Sequence, residues 1–64
     1  MLVNTTIVTT SYMEVAMAFQ SALIRSGVDF TLDNVHDVWT FEIMNGNRSK
    51  WEDMIMEVIS LLVS

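Results

Sequence analysis

Hydrophobic and polar positions change their period along this chain, and each change marks an element. Residues 2–10, Leu2-Val3-Asn4-Thr5-Thr6-Ile7-Val8-Thr9-Thr10, are rich in threonine and β-branched side chains and read as a strand. Val3, Thr5, Ile7 and Thr9 fall on one face, and Leu2, Asn4, Thr6 and Val8 on the other. Neither face is strongly apolar, which suits a strand at the edge of a sheet. From Tyr12 the period becomes helical. Tyr12, Val15, Phe19, Ala22 and Leu23 share one face of a helix running to Ser26, and Gly27 supplies the left-handed residue that ends it. Ser11 and Glu14 have the spacing of a capping box at its start.

Val28-Asp29-Phe30-Thr31-Leu32 alternates and predicts a second strand, with Asp33-Asn34 opening a turn. Val38 to Ile43 alternates again. Trp39, Phe41 and Ile43 make the most apolar strand face in the chain, which predicts that this third strand is central. Asn45-Gly46 turns the chain. Ser49-Lys50-Trp51-Glu52 has the spacing of a second capping box, opening a helix from about Lys50 to the end. There Trp51, Met54, Ile55, Val58, Leu61 and Leu62 follow the i, i+3, i+4, i+7 spacing of a core-facing stripe.

The predicted fold is α+β with the order β-α-β-β-α. If the third strand lies between the first two, the sheet order is 1-3-2 and both helices cover one face. This topology resembles a ferredoxin-like fold lacking its last strand, a split βαβ unit followed by a helix. A resemblance of topology implies no activity.

Length sharpens this picture. Sixty-four residues predict one domain, residues 1–64. A core of that size supplies at most about 3–5 kcal/mol, and small domains usually add disulfides, metals or partners. The chain has no cysteine and one histidine, His36, so disulfides and thiolate metal sites are excluded and a partner or self-association is expected. Hydrophobic residues are 52% of the chain, enough apolar surface to argue against disorder.

Eight acids against three bases give a net charge of −5, which argues against direct contact with nucleic acid or an anionic membrane. The N-terminus has no basic region followed by a long apolar stretch, so no signal peptide is expected. The uncharged stretch Val58 to Ser64 is too short to span a bilayer. A cytoplasmic location is the expectation.

Candidate chemistry is sparse. His36 lies between Asp33 and Asp37, and Asp29 adds to the acidic character of that hairpin. The spacing matches no calcium loop and no catalytic pair, and a solvated strand edge accounts for the acids. Gly46-Asn47-Arg48-Ser49 before the last helix is a weak candidate for binding an anion. No nucleophile has a base at a recognisable spacing. The reading expects no enzyme, no metal and no cofactor.

One feature rises above this background. Met13, Met17 and Ile24 lie about 100° from the core stripe of the first helix and widen its apolar sector to about 220°. A helix on one sheet face needs a sector nearer about 100–140°. In the last helix Met56, Ile59 and Val63 form a second stripe beside the core one. Methionine suits adaptable contact surfaces, and contiguous apolar patches mark interaction sites. Met13, Met17, Ile24, Met56, Ile59 and Val63 are therefore the predicted interface, for a protein partner, for a second copy, or for both.

In length, acidity and lack of cysteine the chain resembles the accessory proteins of bacteriophages that bind and modulate host proteins. The alternative is a sensor. Half-ferredoxin folds resemble regulatory domains that bind metabolites between paired subunits, and Thr9, Thr10 and Ser11 would here supply the ligand's polar partners.

Overall fold

The computed structural model describes residues 4–64, so Leu2 and Val3 of the predicted first strand lie outside the described residues. The elements are β1 (Thr6–Thr10), α1 (Met13–Ser26), β2 (Phe30–Val35), β3 (Val38–Ile43) and α2 (Arg48–Val63). The sheet has the order β1-β3-β2. Both outer strands run antiparallel to β3 and so parallel to each other, a split βαβ arrangement with a helix appended. The predicted α+β fold and strand order are the ones observed.

β3 is central because its alternating face is the most apolar. Phe41 and Ile43 are fully buried. Register places Thr6 and Phe30 on either side of Ile43, and Val8 and Leu32 on either side of Phe41, so these residues share the inner face. Ala16, Phe19 and Leu23 of α1 and Trp51 of α2 join Val8, Phe41 and Ile43 in one core cluster. Both helices therefore cover the same face of the sheet. Phe19 meets Phe41 edge to face, with centroids 5.0 Å apart and planes at 82°, the arrangement that ring quadrupoles favour. The opposite face carries Ile7, Val35 and Val38 among Thr, Asp and Glu side chains, and all three are exposed.

Several local expectations are corrected. The turn between β2 and β3 is not at Asp33-Asn34. Those residues extend β2, opposite Thr40 and Trp39, and the loop is His36-Asp37. Both loop residues have positive φ, 53° and 63°, as a two-residue hairpin of type I′ requires. Pairing along the whole length of β3 outweighs the turn propensity of Asp-Asn.

Neither predicted capping box forms. Tyr12 occupies the N-cap of α1 with extended dihedrals and makes no side-chain cap bond. The chain enters the helix through Thr10, whose Oγ1 accepts from the Tyr12 amide at 3.2 Å. α2 starts earlier than predicted, capped by Asn47, whose Oδ1 accepts from the Lys50 amide at 3.4 Å. Gly27 does end α1 in the left-handed region, at φ 76°, with its amide donating to the Ile24 carbonyl.

Three predicted core residues are not in the core. Tyr12 is 71% exposed because it precedes the helix and so does not follow its phase. Leu61 and Leu62 are also exposed. A helix of 16 residues is about 24 Å long, whereas a strand of five or six residues spans about 17–20 Å. The last turn of α2 thus overhangs the sheet it covers.

Candidate interaction surface

α1 carries Val15, Ala16, Phe19, Ala22 and Leu23 into the core, which leaves its flank to Met13, Met17 and Ile24. These three recur at helical spacing and are all exposed, Met13 and Ile24 by more than 60%. On α2, Trp51 and Val58 are buried and Met54 and Ile55 are packed against the core. Met56 and Val63 are exposed, and Ile59 is half-buried.

The structure brings part of this predicted set together. Met13, Ile59 and Val63 line an open groove between the first turn of α1 and the last turns of α2, with Tyr12, Val15 and Leu62 completing its apolar wall. Its volume is about 590 Å³, and among the described residues Glu14 is the one charged residue along it. Met17, Ile24 and Met56 do not line this groove. They are exposed elsewhere on the two helices.

Tyr12 and Leu62 belong to this surface although their spacing assigns them to the core. The signal in the sequence is positional. Each stands at the end of an amphipathic stripe, where no partner element is guaranteed to lie opposite.

The predicted ligand residues also meet. Thr9, Thr10 and Ser11 line a second groove with Val8, Tyr12, Val38, Ile55 and Ile59. The Thr10 hydroxyl oxygen already accepts from the Tyr12 amide, so the groove offers a ligand fewer free polar groups than the sequence suggests.

The acidic hairpin is spread out rather than focused. Asp33 lies on the outer face of β2, opposite Thr40, while Asp37 sits in the turn and Asp29 before the strand. Among the described residues no group of three or more His, Asp or Glu side chains is placed to hold a metal ion. No helix among them is long and apolar enough to cross a membrane.

The loop before α2 is committed to structure. Asn45 Oδ1 accepts from the Asn47 amide at 2.8 Å and from the Trp51 indole Nε1 at 3.3 Å. Its main-chain oxygen accepts from the buried Thr6 hydroxyl at 2.8 Å. These bonds fasten the end of β3 to β1 and to the first turn of α2. No sequence motif announces the bond between Thr6 and Asn45, because the two are far apart along the chain.

Comparison with family models, with curated proteins and with solved structures gives no match for this chain.

Proposed function

We propose that this chain is a non-enzymatic interaction protein that works by binding another protein surface, a host protein, a second copy, or both. The observation that carries the reading is the apolar groove between α1 and α2, walled by Tyr12, Met13, Val15, Ile59, Leu62 and Val63. Met13, Met17 and Met56 are exposed, as are Ile24, Leu61, Leu62 and Val63. Single exposed apolar residues are ordinary, but a groove walled by apolar side chains on a chain this small, with further exposed apolar residues on both helices, favours a contact surface. Flexible thioether side chains let such a surface fit more than one partner shape. The small phage proteins that the chain resembles in length and charge act in this way.

The test is capture from the lysate of the native host by the immobilised chain, with M13E/V63E in parallel. Both substitutions are at exposed sites and leave the fold intact. Partners retained by the wild type and released by the variant support the reading. Equal capture by both overturns it for this surface.

The sensor reading takes second place. It draws on the groove that Thr9, Thr10 and Ser11 share. A thermal-shift screen against nucleotides and amino acids separates the two readings, because a protein-binding surface gives no shift with either.

A further inference from the structure

The two edges of the sheet are not equivalent. β2 carries Asp33 within it and is flanked by Asp29 and Asp37. Acids at such positions block pairing with another strand. β1 is Thr6-Ile7-Val8-Thr9-Thr10, five uncharged β-branched residues with no proline and a regular ladder to β3. It carries neither the charge nor the proline that commonly protects an edge strand.

From this asymmetry we infer that β1 is a self-pairing edge, joining two copies antiparallel about a two-fold axis into one six-stranded sheet. The inference deepens the protein-binding reading and rests on it.

Charge leaves β1 as the edge on which two copies can meet. At a net charge of −5 two copies repel over most of their surfaces. Pairing β1 with itself brings no acid opposite an acid, whereas pairing β2 with itself about Asp33 would set that carboxylate beside its mate. Geometry agrees. The Met44 amide donates to the Asp29 carbonyl, so Val38, Thr40 and Glu42 turn their amides toward β2, and Trp39, Phe41 and Ile43 turn theirs toward β1. Their partners Thr10, Val8 and Thr6 therefore face β3, and the edge-facing amides are those of Ile7 and Thr9. The register that overlaps all five residues sets Val8 beside its symmetry mate and Ile7 beside Thr9, so that both edge amides find carbonyls.

A five-residue edge alone falls short of the roughly 800 Å² per partner typical of a stable interface. The groove beside β1, lined by Val8, Thr10, Ile55 and Ile59 among others, supplies further surface for the approaching copy to cover.

Sedimentation of the full chain over a concentration series, combined with amide hydrogen exchange, tests the inference. The expected result is a dimer in which the Ile7 and Thr9 amides are protected at high concentration and exchange freely on dilution. T9P removes an edge-facing amide without touching the ladder to β3 and should raise the dimer Kd at least about tenfold. T9E, which puts a charge on the edge and keeps the amide, should weaken the dimer too and guards against a misfolded proline variant.

A dimer that survives both substitutions but is lost in M13E/M56E overturns the edge inference and leaves the helical surface as the interface. A strict monomer overturns the edge inference as well, and leaves the binding of a different protein to be judged by the lysate experiment.

Discussion

The indole Nε1 of Trp51 donates to Oδ1 of Asn45 at 3.3 Å, and this bond ties the first turn of α2 to the end of β3. Trp51 is 1% exposed and is one of the largest side chains in the core. Its N–H has to find a partner inside the protein, because burying it unpaired carries a desolvation cost. Replacing Asn45 by Ala leaves that donor unsatisfied and removes the acceptor for the Asn47 amide. We expect a loss of about 1–3 kcal/mol in urea unfolding, together with a change in tryptophan fluorescence.

The two capping schemes for α2 make opposite predictions. The observed cap is Asn47, so N47A should destabilise the protein by about 0.5–1 kcal/mol. Ser49 lies inside the helix and makes no cap bond, so S49A should be within about 0.5 kcal/mol of the wild type. Equilibrium denaturation of the two variants separates the schemes. A larger loss for S49A would restore the capping box.

Gly46 is required for space. A Cβ added there would collide with the Cβ of Asn4. The contact is with the root of the Asn4 side chain, which cannot swing away. G46A should therefore cost about 1–3 kcal/mol. Replacing Asn4 by Gly in the same chain should recover part of that loss. The coupling read from the double-mutant cycle, rather than either single value, is the decisive quantity.

The His36-Asp37 loop holds two non-glycine residues at positive φ. Asn-Gly is the favoured pair for such a two-residue loop. H36N/D37G should raise stability by about 0.5–1 kcal/mol while leaving the Val35–Val38 pairing in place. A rise in the thermal midpoint with an unchanged circular dichroism spectrum is the expected outcome. Loss of stability would mean that His36 or Asp37 has a role in the hairpin beyond its backbone conformation.

Core and overhang respond differently to truncation. Phe41 is fully buried against Phe19 and Phe30. F41A should cost about 3–5 kcal/mol, comparable to the whole stability of a domain this size, and the chain should unfold. Y12A and L61A remove residues that are 71% and 68% exposed. Each should change monomer stability by less than about 0.5 kcal/mol. Circular dichroism of the three variants checks both halves of the statement.

Much of the architecture was legible in the sequence, because secondary structure is written in a period. Alternation in Val38–Ile43 and the Trp39-Phe41-Ile43 face identified β3 and its central place. Helical spacing identified Val15, Phe19, Ala22 and Leu23 as the buried face of α1, and Gly27 marked its end. The surplus of Met13, Met17, Ile24, Met56 and Val63 was also visible, since a helix on a sheet has one face to bury and these residues fall outside it. Their exposure is a structural fact; what they bind is the open proposal.

Tertiary structure decided the rest. Spacing placed Tyr12, Leu61 and Leu62 in the core, yet whether a residue on the right phase is buried depends on something lying opposite it. Tyr12 precedes the helix, and α2 outruns its sheet. Asp33-Asn34 has turn chemistry, but the register against β3 carried the strand three residues further, to Val35. The start of α2 was set by the Asn47 cap, placed by Asn45, which the Thr6 hydroxyl holds on one side and the Trp51 indole on the other. Periodicity repeats along the backbone and is local, so sequence determined which elements form and in what order. Which of several local caps forms, where a turn falls and whether the ends of a helix are buried depend on the neighbours each segment meets, and only the folded arrangement supplies them.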